Sequence, residues 1–220
     1  MKIFSQDGII YKLITNFIAL MKINLLWLLF SLPIVTLGGA TIAAYDVFLK
    51  MADEEEGYIG RQFVESFKKN FKTGIPYGLL LLLCIYVVWL DFSLFEQIED
   101  NPIILLIMGM IAAFVFLISL LFAFPLQARY ENTLIKTLKN SADISIKFFV
   151  RTLTLIIALA VEAVFFLWNS TTAFFGVLIG PACLMYTVAG YARIFFREIE
   201  KEPGSVVYPE EESNEKGEKT

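Results

Sequence analysis

The chain has 220 residues, 57 % of them hydrophobic and 15 % aromatic, and its 18 basic and 22 acidic side chains give a formal charge of −4. With a mean hydropathy of +0.67 it is too apolar for a soluble domain, and a length under about 250 residues points to one domain. It has no histidine, which excludes His-based triads, HExxH zinc sites and the usual neutral-pH proton shuttle, and no basic field suits nucleic acid.

The apolar runs are continuous rather than alternating. Hydrocarbon offers no water to backbone groups, so this pattern predicts an all-α polytopic membrane helical bundle rather than a barrel. The first run covers residues 13–51 and is interrupted by Pro33, Gly38 and Gly39. It is too long for a cleaved signal peptide and carries Lys22 in its interior. Read as a hairpin it supplies two spans, about 13–32 and 34–51, the second short for a bilayer. Lys22 lies about 14 Å along the first and Asp46 about 8 Å from the end of the second. A lysine can snorkel, so the two are expected to meet as an ion pair that fixes the hairpin.

After the acidic run 53–56, expected as a solvated loop rather than a cation site, Phe63, Phe67 and Phe71 recur every four residues beside Lys68, Lys69 and Lys72. That spacing predicts an amphipathic helix at the membrane surface. Ser66 and Lys69 have S-x-x-K spacing, but the motifs that accompany it in acyl-transfer enzymes are missing. A third span follows at about 74–95, an acidic connection at 96–100, and a fourth span at about 102–126. Leu134, Leu138 and Ala142 then mark a second interfacial helix beside Lys136 and Lys139.

The fifth span, about 148–168, contains Glu162, an intramembrane acid with no cation at its depth. Such a charge costs roughly 3 kcal/mol near the bilayer centre, so Glu162 is expected to be hydrogen-bonded to Tyr or Thr of the last span, or to titrate in transport. The sixth span, about 172–196, carries Gly176, Gly180 and Pro181, read as close helix packing and a kink, with a transporter-like broken helix as the rival reading. Residues 1–201 thus form one membrane domain, and 202–220 an acidic, disordered cytoplasmic tail. Cys84 and Cys183 sit inside apolar runs and read as small hydrophobes.

Charge placement sets the topology. With six spans, every Lys and Arg except Lys22 falls on one side, and the opposite connections carry none. Basic loops stay cytoplasmic, so both termini are expected there, and Trp27, Trp89 and Trp168 fall near the opposite interface.

The run N-L-L-W-L-L-F-S-L-P-I-V-T-L-G over residues 24–38, with Ala43, Tyr45, Gly57, Tyr58 and F-K-K-N-F-K at 67–72, resembles the YesL family of bacterial integral membrane proteins. The resemblance is strongest over residues 13–76. It implies a protein of the bacterial cytoplasmic membrane that assists or regulates carbohydrate uptake, with a carbohydrate transporter subunit or another membrane protein as its partner and no established biochemical activity. No catalytic set, cofactor or metal is expected. The candidate polar sites within the membrane are Lys22, Asp46 and Glu162, and the rival function is a small secondary transporter using Glu162 and the broken helices.

Overall fold

A computed structural model describes residues 9–53, 55, 57–97 and 103–201. Residues 98–100 of the acidic connection, Glu54, Glu56 and the tail 202–220 lie outside the described residues. The chain forms α1 (Ile9–Ser31), a 3-10 turn (Ile34–Thr36), α2 (Leu37–Ala52), α3 (Ile59–Gln97), α4 (Ile103–Leu121), α5 (Ala123–Arg129), α6 (Leu134–Lys147), α7 (Phe149–Leu167) and α8 (Ser170–Ile199), with no strand among the described residues. Among the described residues six stretches are long and apolar enough to cross a membrane, the third formed by α3 and the fourth by α4 with α5. Large apolar side chains such as Leu25, Leu79, Ile104 and Val161 stand exposed on α1, α3, α4 and α7. This is the architecture of a multi-pass membrane protein, with a surface suited to lipid.

The hairpin between α1 and α2 follows from Pro33. A residue before proline avoids the helical region, so α1 stops at Ser31. Thr36 Oγ1 donates to the carbonyls of Phe30 at 2.5 Å and Pro33 at 2.6 Å, satisfying acceptors that the helix end leaves open. Trp27 donates its Nε1 proton to Thr41 Oγ1 on α2 at 3.0 Å.

α2 is the most enclosed of the spans, with Gly38 through Tyr45 and Val47 through Leu49 buried, and it packs against α1, α3, α5 and α8. That explains its weak hydropathy: a helix faced by protein rather than lipid needs small residues more than large apolar ones. Gly38 and Gly39 meet Gly74 and Gly78 of α3 so closely that a Cβ on Gly38 would overlap the backbone of Gly74.

Two expectations are corrected here. The basic stretch around 61–72 is not a separate interfacial helix; it continues through Pro76 into α3, a single helix of 39 residues about 58 Å long. Its first half lies along α2, with Phe63, Ser66 and Asn70 buried. The second interfacial helix does form, as α6, but its buried stripe is polar: Thr137, Asn140, Ser141 and Ser145 face inward with Ile144. Leu134 and Leu138 pack at its margin, while Ile135 and Ile146 are exposed.

α7 and α8 form a tight pair. Asn169 caps α8, its side chain accepting from Thr172 N at 2.9 Å while its own N–H donates to Thr172 Oγ1 at 3.1 Å. Phe166 of α7 rests on Gly176 and Gly180, so this G-x-x-x-G makes close packing. Pro181 offers no N–H to the carbonyl of Val177, one turn earlier. Asn24 of α1, itself buried, supplies the missing donor: its Nδ2 reaches Val177 O at 3.1 Å and Leu178 O at 2.7 Å. Asn24→Leu should therefore cost about 1–3 kcal/mol, and clearly less in a Pro181→Ala background, where an N–H returns to Val177. Thermal unfolding of the four proteins in detergent measures this, and equal costs in both backgrounds would contradict the repair.

Candidate functional site

Polar side chains gather where α3, α5 and α6 meet. Pro125 has no N–H for the carbonyl of Leu121, which is where α4 ends; the chain turns at Phe122 and restarts as the buried helix α5. This break aims Gln127 inward. Tyr77 Oη donates to Gln127 Oε1 at 2.8 Å and Thr137 Oγ1 donates to the same oxygen at 3.3 Å, with all three residues buried. Tyr77 and Gln127 stand at the wall of a cavity of about 530 Å³ that also touches Asn70, Thr73 and Thr133. Lys69 and Glu131 pair at its rim at 2.6 Å, both largely exposed. The ammonium of Lys69 holds the Glu131 carboxyl below its usual range. An adjoining chamber of about 240 Å³ shares Lys69, Asn70, Gln127 and Glu131 and adds Asp46, Lys50 and Ser66. Asn140 Nδ2 and Ser141 Oγ on α6 are buried without a hydrogen-bond partner among the described residues. The first cavity has the size of a small-molecule site, and its amides and hydroxyls can exchange hydrogen bonds with a neutral polyhydroxyl or amide solute.

Beside this cavity lies a charged knot. Asp53 accepts from Arg193 Nε at 2.7 Å, Arg197 Nη2 at 3.0 Å and Arg129 Nη1 at 3.2 Å. Arg129 also pairs with Glu200 at 2.9 Å, and Tyr130 Oη donates to Glu200 Oε1 at 2.5 Å. Burial raises the pKa of Asp53, but the hydrogen bonds and charges of Arg193 and Arg129 outweigh it and hold the carboxyl below its usual range. Burial, followed by the Glu200 carboxylate, pushes the Tyr130 hydroxyl well above its ordinary value. Asp53 was expected in a solvated loop; with its side chain only 20 % exposed, it instead joins the ends of α2, α5 and α8. Arg151 pairs with Glu198 at 2.6 Å at the same end.

The expected pair of Lys22 and Asp46 is not formed. Asp46 accepts from Lys50, one turn along its own helix, at 2.8 Å, while Lys22 is exposed on α1. An i,i+4 partner needs no snorkelling and no matching of depth, so it wins. Glu162 lies between α7 and α8, where Oε1 accepts from Thr187 Oγ1 at 2.5 Å and Oε2 is buried without a partner among the described residues. The three candidates are thus not brought together: Asp46 faces the inner chamber, and Lys22 and Glu162 line neither cavity. Sequence reasoning missed Gln127, Tyr77 and Asp53, and also Asp91, an acid within the third apolar run whose carboxylate lies against Gly109 of α4.

Residues 20–92 match the family model described as Protein of unknown function, DUF624. No curated protein and no solved structure matches the chain. The DUF624 stretch runs from the middle of α1 through α2 and most of α3, so it holds Asn24, Trp27, the four packed glycines and the Tyr77 side of the cavity. Gln127, Glu162 and the arginines of α8 lie beyond it.

Proposed function

We propose that this protein is a non-enzymatic component of carbohydrate uptake in a bacterial cytoplasmic membrane, holding a sugar-like solute at the basic end of the bundle. The observation that carries the reading is the cavity between α3, α5 and α6, where buried Gln127, Tyr77 and Asn70 present neutral hydrogen-bonding groups under a charge-balanced rim. The resemblance of residues 24–38 to the YesL family supports the link to carbohydrate, and the loading of Lys and Arg at one end supports a cytoplasmic placement of that end. The partner is a transporter subunit, for which the basic end is the docking face.

The test is a saccharide panel added to the purified protein in mild detergent, read as a rise in Tm, with proteins that co-purify identified in parallel. At least one mono- or disaccharide should stabilise the chain. Lys69→Gln, at an exposed rim position, should weaken that response about tenfold while leaving the unliganded Tm unchanged. A flat response across the panel would reject the solute site.

The unpartnered Oε2 of Glu162 favours a second reading, proton-coupled transport. As a structural acid, Glu162 should tolerate Gln, which keeps the bond to Thr187, and lose about 1–3 kcal/mol with Leu, which leaves Thr187 unsatisfied. A Glu162→Gln protein that folds normally but abolishes sugar uptake in cells would promote the transporter.

A further inference from the structure

We propose that the groove between the start of α1 and the end of α8 is a headgroup site for an anionic phospholipid. A cavity of about 770 Å³ opens there, walled by Lys12 and Asn16 on α1 and by Tyr186, Tyr191, Arg193 and Arg197 on α8. Three cations face it and, among the described residues, no carboxylate lines it. Asp53 reaches Arg193 and Arg197 but is shared with Arg129, so the groove keeps an excess of positive charge. The polar cavity differs on this point, since its Lys69 is matched by Glu131.

Position and shape select a lipid over a free anion. Lys12 lies in the first turn of α1, and Arg193 and Arg197 lie in the last two turns of α8, where the apolar stretches of both helices give way to polar chain. That is the level at which a phosphate meets a membrane protein. Exposed Leu13 and Phe17 follow Lys12 and Asn16 along α1, and exposed Ile194 lines the groove between Arg193 and Arg197, so apolar surface for acyl chains lies beside the cations. Gly190 leaves open space inside the groove: a Cβ there would meet nothing within 4 Å. Arg guanidinium groups suit phosphate oxygens in a forked geometry, and Lys12 adds a point charge from the facing helix. The site stands on observations separate from those behind the proposed function.

The experiment is native mass spectrometry of the full chain in detergent with added phosphatidylglycerol or phosphatidylcholine, and with inorganic phosphate as competitor. Phosphatidylglycerol should be retained at one per chain, several-fold over phosphatidylcholine, and millimolar phosphate should not displace it. Lys12→Gln, at an exposed position, should lower retention about fivefold, whereas Lys68→Gln, exposed on α3, should leave it unchanged. Gly190→Leu, whose Cβ would meet nothing within 4 Å, places bulk in the groove with the charges intact and should also block retention, its Tm showing that the chain is folded. Equal retention of the two lipids, displacement by phosphate, or unchanged retention in both Lys12→Gln and Gly190→Leu would each overturn the site.

Discussion

Gly74→Leu is expected to yield no monodisperse protein from detergent, and Gly38→Ala to lose about 3 kcal/mol or more, at the upper end of overpacking effects. The reason is backbone contact. A Cβ on Gly74 would overlap the backbone of Gly39, and one on Gly38 would overlap Gly74 and Gly78. A flexible side chain can move aside, but two helix backbones can part only by undoing the interface that buries α2. Small residues are what allow helices to approach this closely without a hydrophobic drive between them. Gly60→Ala provides the contrast, because its Cβ would meet nothing within 4 Å, and it should match the parent in yield and Tm. Gly38→Ala behaving like Gly60→Ala would show that α2 and α3 are not in contact as described.

Asp53→Ala should destabilise by about 2 kcal/mol, between the values typical of exposed and buried ion pairs, because it strips the acid shared by Arg129, Arg193 and Arg197. The same residue gives a pH signature. Its carboxyl is held below the ordinary range in the folded protein, so the unfolded chain takes up its proton first as pH falls. Stability from Asp53 is therefore complete above the ordinary carboxylate pKa of about 4 and fades as pH drops through the lower folded value. Melting temperature in detergent should decline over that acidic window, and Asp53→Asn should flatten part of the decline. An unchanged acid limb in Asp53→Asn would remove Asp53 from the network.

What the sequence revealed and what it hid divide along physical lines. Spans were legible because a bilayer imposes a length and a composition on each helix separately, and the Pro33 break follows from a local steric rule. The need of Glu162 for a donor on the last span was legible for the same reason, since an intramembrane acid must find one nearby. Two features were readable but overridden. Asp46 and Lys50 have helix spacing, yet depth matching suggested Lys22, and Pro125 marks the end of α4 although hydropathy runs through it. The cavity and the knot were not legible. Gln127 meets Tyr77 across 50 residues and Asp53 meets Arg193 across 140, and no periodicity records which helix ends share a corner. The polar stripe of α6 reads as amphipathic in either orientation, and only tertiary packing decides that the polar side turns inward.

In the proposed topology the basic end of the six-span bundle, with its cavity, faces the cytoplasm. Single cysteines placed at Thr133, on the cavity rim, and at Ser170, the first residue of α8, test it in a chain whose Cys84 and Cys183 have been replaced. With an impermeant thiol reagent on intact cells, the cysteine at position 170 should react and the one at 133 should react only after permeabilisation. Labelling at position 133 in intact cells, with position 170 protected, would contradict it.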